Sequence, residues 1–243
     1  MKYSALSDIG LKREKNEDNW NIVLDAAENP IGFIIADGMG GHLAGEEASR
    51  IAVEEMSSMI LKCVSPDMDA DSLKKLVFEH IKIINNRILD FSDKNLSGLK
   101  SGTTLTAGII LKKKLYIIHI GDSRIYRIRN GKLDRLTQDH SYVAELLKGG
   151  LISSDEANHH PDRNQLTRAL GFRDHYLPDF YSEPLLPRDS LIFCTDGLYE
   201  DVEDEEILKT VLHEPREAVV QSLVEKAKNH GGNDNITVIV VWM

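Results

Sequence analysis

Cysteine is scarce in this chain, and neither long apolar runs nor clusters of positive charge are found. Two cysteines, Cys63 and Cys194, cannot make a disulfide framework. Cysteine-based phosphate chemistry needs an Arg six residues after the nucleophile, and those positions hold Asp69 and Glu200. Both cysteines therefore read as buried small hydrophobes. The opening segment MKYSALSDIG lacks the apolar stretch of a secretion signal, and the longest apolar runs have only strand length. No membrane span is expected, and the cytoplasm is the default compartment. The only lysine triplet, Lys112–Lys114, sits in a turn between two strand-like runs. With a net charge of −10 and no basic stripe, binding to nucleic acid or an anionic membrane is not expected.

The 243 residues are 42% hydrophobic and 28% charged, which suits one globular domain. Strands are expected at 2–9, 20–25 and 31–36, the first two flanking the charged loop KREKNEDN. Apolar residues at 3.6 spacing (Ala44, Ala48, Ile51, Ala52, Met56, Met59, Ile60) predict a helix over 43–62 that ends at Ser65-Pro66. A second helix over 71–91 carries Leu73, Leu76, Val77, Ile81, Ile84 and Ile88. The period then changes to strand at 103–111, 115–120 and 124–129. Asn130-Gly131 marks a type I′ hairpin into 133–136. Residues 140–175 read as an irregular surface insertion, a candidate flap. Strands return at 179–184 and 190–195, a helix follows at 215–229, and a last strand spans 236–242. Runs of strands with helices early and late predict an α+β layered sandwich.

The stretch IGFIIADGMGGHLAGEE, residues 31–47, ends a core strand in a carboxylate backed by glycines. Glycines at such junctions often cradle phosphate. The nucleotide templates fail here. Gly40 and Gly45 have P-loop spacing but are followed by Glu46 and Glu47, and a dinucleotide fingerprint from Gly38 meets Leu43 where its third glycine belongs. The pattern at Asp37 recurs instead. IIHIGDSR brings Asp122 to the end of an apolar run, LIFCTDG brings Asp196, GGNDNITVIVV places Asp234 before one, and Glu17-Asp18 lie between the first two strands. Singly, each Asp caps a strand or turns the chain. Together, at one edge of a sandwich, they would repel unless positive charge sat among them. Hard cations with oxygen ligands, Mg²⁺ or Mn²⁺, are the usual answer, and no Cys/His spacing for zinc is present.

SDIGLKREKNEDNW, IIADGMGGHLAGEEAS, SGTTLTAGI, LYIIHIGDSRIYRIRNGKLDRLTQDHS, HPDRNQLTRALG, LIFCTDGLYEDV and GGNDNITVIVV, in this order and across nearly the whole chain, resemble the metal-dependent Ser/Thr protein phosphatases of type 2C in their compact bacterial form. The resemblance implies one catalytic domain over 1–243, an α-β-β-α sandwich with two mainly antiparallel sheets face to face and two Mn²⁺ or Mg²⁺ ions between them. It implies that Asp37 bridges both ions, that Asp196 and Asp234 complete one site, and that the Gly38 carbonyl and Glu17 serve the other. Asp18 is the neighbouring acidic position of the same motif. Asp122 with Asp196 would hold a third, weaker ion, and Arg13 would grip the substrate phosphate. The expected reaction is one-step hydrolysis of phosphoserine and phosphothreonine by a bridging metal hydroxide, without a phosphoenzyme. Eukaryotic relatives carry a His directly after the Asp-Gly, where this chain has Met39. His42 or water is then the candidate general acid. The expected partners are phosphorylated proteins and a cognate Ser/Thr kinase, the expected state a monomer, and the 140–175 insertion the family's flap. Two alternatives stand beside this reading. A degenerate module that senses phosphoprotein or metal without turnover is disfavoured by the intact Asp37, Asp196, Asp234 and Arg13. A two-metal nuclease is disfavoured by the acidic charge.

Overall fold

The structure, a computed structural model, describes residues 1–40, 43–95 and 101–243. Its elements are β1 Lys2–Asp8, β2 Asn19–Leu24, β3 Pro30–Ala36, β4 Gly38–Met39, α1 Leu43–Cys63, α2 Ala70–Asn95, β5 Gly102–Thr103, β6 Leu105–Leu111, β7 Lys114–Ile120, β8 Arg124–Arg129, β9 Lys132–Arg135, α3 Tyr142–Lys148, α4 Ser154–Asn158, β10 Asp179–Pro184, β11 Ser190–Cys194, α5 Asp196–Tyr199, α6 Asp204–His213, α7 Val219–His230 and β12 Ile236–Trp242. Two five-stranded sheets form, ordered β1-β12-β11-β8-β9 and β10-β7-β6-β3-β2, beside a small ribbon of β4 and β5. Every strand pair is antiparallel.

The two-residue period of each strand sorts its side chains into separate cores. Phe33 and Ile35 of β3 face Phe193, Leu191, Ile239 and Val241 of the opposite sheet. The alternate residues Ile34 and Ala36 meet Ala48, Ala52, Met56 and Ile60 of α1, and the same layer takes in Ile81 and Ile84 of α2. On the other side, Ile192, Cys194, Val238 and Val240 pack on Leu223, Val224 and Ala227 of α7 and on Ile207 of α6. The result is the expected α-β-β-α order. Between the sheets, the rings of Phe33 and Phe193 lie 5.6 Å apart. Gly108 of β6 makes room for them, since a Cβ there would stand 2.7 Å from Phe193 Cζ.

Strand directions place the ends. The last residues of β3 and β7 share one edge because each is antiparallel to β6 between them. In the other sheet the end of β11 and the start of β12 meet, and the end of β1 pairs with Ile236 at that same start. The 9–18 loop crosses from this sheet to the other, where Asn19 pairs with Ala36.

Several expectations need correction. Cys63 is exposed at the end of α1, and only Cys194 is buried. Thr104 breaks the expected strand 103–111, because its backbone N–H and side chain turn to Asp37. The late helix begins at Val219 rather than 215, after a turn closed by Ala218 N–H on the Pro215 carbonyl. Helix α6 was not expected; its stripe of Ile207, Thr210 and Val211 is short and preceded by five acidic residues in six. Asn130 and Gly131 adopt φ of 54° and 74°, the expected I′ turn, and Lys112 and Lys113 (50° and 61°) make a second without glycine. Among the described residues, no helix is long and apolar enough to cross a membrane.

The inter-sheet layer should dominate stability. Phe193→Ala is expected to lower the unfolding free energy by about 3–5 kcal/mol, read from the urea midpoint. Ile83→Ala, on the exposed face of α2, should change it by no more than about 0.5 kcal/mol.

Candidate active site

Residues from seven chain segments line a cavity of about 220 Å³ at the shared strand edge, among them Arg13, Asp37, Asp122, Asp196 and Asp234. Asp37 follows β3. Its backbone N–H donates to Thr104 Oγ1 (2.9 Å), and its carbonyl accepts from the Thr104 N–H (2.9 Å) and the Thr103 hydroxyl (2.8 Å). These bonds leave the carboxylate to face the cavity. Burial drives its pKa well above the ordinary range, and the charges of Asp196, Asp18, Asp122 and Asp234 add to the shift. Asp196, two residues past β11 and first in α5, is raised for the same reasons, burial first and then Asp122 and Asp234. Asp122 is pushed up to about 7 by burial and by Asp139, with Arg124 opposing.

Asp18 is buried. Its Oδ2 accepts from Thr195 Oγ1 (2.9 Å) and Thr237 Oγ1 (2.7 Å), and burial still lifts it to about 7. The Oδ1 atoms of Asp18 and Asp196 are buried without a hydrogen-bond partner. Arg13 is the cation in contact with the group. Its Nη2 lies 2.6 Å from Asp234 Oδ2, and that bond together with the charges of Asp196 and Asp37 outweighs the cost of its partial burial.

Glycine shapes the second side of the cavity. A Cβ on Gly38 would overlap the Gly45 carbonyl, and one on Gly45 would overlap Glu17 Oε2. The Glu17 carboxylate thus lies against the first turn of α1 at a point only glycine permits. Glu17 is held by its backbone: its N–H donates to Asn235 Oδ1 (2.8 Å), and its carbonyl accepts from Gly38 N–H (3.2 Å) and Ser49 Oγ (2.5 Å).

The structure brings together Arg13, Glu17, Asp37, Gly38, Asp122, Asp196 and Asp234 around one cavity. Asp18 stands behind it among threonines. His42 lies outside the described residues. Sequence reasoning missed Asn235, whose Nδ2 also donates to the Ile9 and Lys15 carbonyls (3.0 and 2.9 Å) and so fastens the whole 9–17 loop. It also missed Asn164 and Leu166, which reach the cavity from the 140–175 segment. The adjacency of Asn235 to Asp234 was the one available signal.

The donor set fits a hard cation: every group is oxygen, the buried Asp196 Oδ1 lacks a partner, and the cluster is short of positive charge. As they stand, no three His, Cys, Asp or Glu side chains among the described residues are arranged to hold an ion. Arg13 meanwhile engages Asp234.

The profile of the protein phosphatase 2C family matches residues 12–231. A serine/threonine phosphatase of Listeria welshimeri is 38% identical over 238 residues, covering 97% of this chain and 93% of its own. A solved Streptococcus agalactiae serine/threonine phosphatase superposes with a TM-score of 0.90 at 32% identity, over 98% of each chain. The catalytic domain of the phosphatase PstP, solved in complex with two manganese ions, gives 0.84 at 32%, over 98% of this chain and 96% of that one. The chain belongs to the protein phosphatase 2C family.

The raised carboxylates make a prediction about the metal-free protein. Folding favours neutral Asp18, a contribution complete below the ordinary carboxylate range and lost as pH rises through about 7. Asp18→Asn imitates the neutral acid. Stripped with EDTA, it should match wild type near pH 4 and exceed it by about 2–4 kcal/mol near pH 8, read from paired urea titrations. Equal stability at both pH values would show that Asp18 carries no such burden.

Proposed function

We propose that this end of the sandwich performs metal-dependent hydrolysis of phosphoserine and phosphothreonine monoesters in proteins. The observation that carries the reading is the gathering of Asp37, Asp122, Asp196 and Asp234 with Arg13 at one cavity, with the buried Asp196 Oδ1 left unpartnered there. A phosphate dianion cannot enter such a field without added positive charge. Asp37, Asp196, Asp234, Glu17 and the Gly38 carbonyl would hold two ions, Mn²⁺ or Mg²⁺, and Asp122 with Asp196 a third, weaker one. When bound, the ions supply the Lewis acidity that ionises water near neutral pH and the positive field the phosphate needs.

The chain's own residues do the rest. Arg13 has a planar fork suited to two phosphate oxygens, and to use it must leave Asp234. The Thr103 and Thr104 bonds hold Asp37 in place throughout. Leaving-group protonation falls to His42 or to water. A cysteine nucleophile is not needed: Cys194 is buried with its thiol pushed up, and Cys63 lies at the far end of α1.

We read the whole chain, 1–243, as one catalytic domain, with 140–175 as a flap that meets the phosphoprotein. Asn164 and Leu166 at the cavity support that role. The substrates are phosphoproteins; a cognate Ser/Thr kinase among them, a monomeric state and a cytoplasmic location complete the reading.

Turnover of p-nitrophenyl phosphate and a phosphothreonine peptide is expected with Mn²⁺ and to vanish in EDTA. Asp196→Asn should lower kcat roughly 10²–10³-fold, and Arg13→Lys should raise KM for both substrates. A folded wild type inactive with every metal would replace this reading with a phosphoprotein-sensing module. For the flap, amides of 143–163 should exchange faster than those of β6 and β7; uniform slow exchange would remove its mobility. His42→Ala should alter the pH–rate profile if His42 is the acid, and an unchanged profile assigns that proton to water.

A further inference from the structure

We propose that His140 is a positioning residue whose two ring nitrogens tie the turn before Asp122 to the segment that carries Leu166. The inference rests on the reading of Asp122 as an ion ligand. His140 is buried between β9 and α3. Its backbone N–H donates to the Gly121 carbonyl (2.7 Å), and the Gly121 N–H donates back to His140 Nδ1 (3.1 Å). Gly121 has a φ of +102°, and a Cβ there would press to 2.5 Å from Thr104 Cγ2. The residue directly before Asp122 is thus gripped at both polar atoms by one histidine and can be no residue but glycine.

The grip fixes the tautomer. Nδ1 accepts, so Nε2 carries the proton and donates to Asp179 Oδ2 (3.2 Å). The other Asp179 oxygen accepts from Arg168 Nη1 (2.8 Å). Arg168 is two residues from Leu166, and the intervening Thr167 donates its N–H to the His140 carbonyl (2.8 Å). The ring is also held from the side: it packs against His119 at a tilt of 37° with centroids 4.7 Å apart, and His119 Nε2 donates to the Gln138 carbonyl (3.0 Å) while its Nδ1 meets Thr106 Oγ1 (2.9 Å). One imidazole therefore connects Gly121, by one edge, to Asp179 and Arg168, by the other. A residue present only to fill space would need neither nitrogen.

The two edges can be cut separately in the full-length enzyme. In His140→Asn the amide oxygen takes the place of Nδ1, keeping the Gly121 bond and losing Asp179. In His140→Gln the longer amide reaches Asp179 and gives up Gly121. Two readouts separate them: Mn²⁺ binding followed by the EPR signal of free Mn²⁺, and steady-state kinetics on a phosphothreonine peptide against p-nitrophenyl phosphate. His140→Asn should raise KM for the peptide about fivefold, with Mn²⁺ binding and p-nitrophenyl phosphate turnover within about twofold of wild type. His140→Gln should weaken the lowest-affinity Mn²⁺ about tenfold and leave the peptide KM unchanged. Asp179→Asn, on the half-exposed strand β10, should repeat the His140→Asn result and guards against a folding defect at the buried site. Two His140 variants that lose both properties together, or Asp179→Asn with an unchanged peptide KM, would overturn the inference. A wild type that binds no Mn²⁺ would overturn the ion reading itself, a result distinct from either.

Discussion

Uncompensated negative charge is the constraint around which this structure is arranged. Four aspartates share a cavity of about 220 Å³ with one guanidinium, and burial raises Asp37 and Asp196 far from their ordinary range. Such a cluster works against folding unless its members are neutral or partnered by cations. The polar shell behind it follows from that cost. Thr195 and Thr237 donate to Asp18, while Thr103 and Thr104 take the backbone of Asp37. Asn16 donates to Ser7, and the Ser7 and Thr237 hydroxyls share a hydrogen bond, so the donors line up toward Asp18. Hydroxyls and amides hold the carboxylates in place without neutralising them, which preserves their appetite for a cation.

The stability that tolerates this edge lies elsewhere. Three apolar layers, two under the helices and one between the sheets, are built from strands whose alternate residues face opposite sides. The acidic residues sit just past the strand ends, where pairing has stopped. A domain stable by about 5–15 kcal/mol can carry several kcal/mol of site cost only if the two are spatially separate. Antiparallel order achieves this: strands two apart in one sheet run the same way, so β3 and β7 deliver Asp37 and Asp122 to a common edge, while adjacent β11 and β12 deliver Asp196 and Asp234 to it by ending and starting there.

What the sequence revealed were the features carried by local pattern. An Asp after an apolar run (Asp37, Asp122, Asp196) or just before one (Asp234) located all four cavity aspartates, and the 3.6-spaced apolar stripes of α1 and α2 were readable to within a few residues. Arg13 could not be told from solvated charge in KREKNED without the family resemblance, since its pairing with Asp234 spans 221 positions. Asn235 was hidden for a similar reason: its side chain acts on Ile9, Lys15 and Glu17, all more than 200 residues away. Cys63 misled because buried cysteine is the common case, while this one follows the last core residue of α1 and faces solvent. Helix α6 escaped because acidic residues dominate its first turn and mask a one-turn apolar stripe.

The long-range character of those missed contacts has a consequence for how the site is assembled. Residues 9–18 form a loop that contributes Arg13, Glu17 and Asp18, yet the loop has little apolar surface with which to hold itself. Its attachment is polar and comes from the last strand and the turn before it: Asn235 takes three backbone groups, Gly232 accepts the Leu11 N–H (2.8 Å), and Thr237 bonds Asp18. The first eighteen residues and the last twelve therefore have to meet before the cavity exists, and β1 pairing with β12 along its full length is what brings them together. Closing a loop of this length costs only slowly more than closing a short one. A site drawn from both termini is thus affordable for the chain, and it ties the reactive geometry to completion of the fold, so that partly folded chains carry the carboxylates without the arrangement that gives them a use.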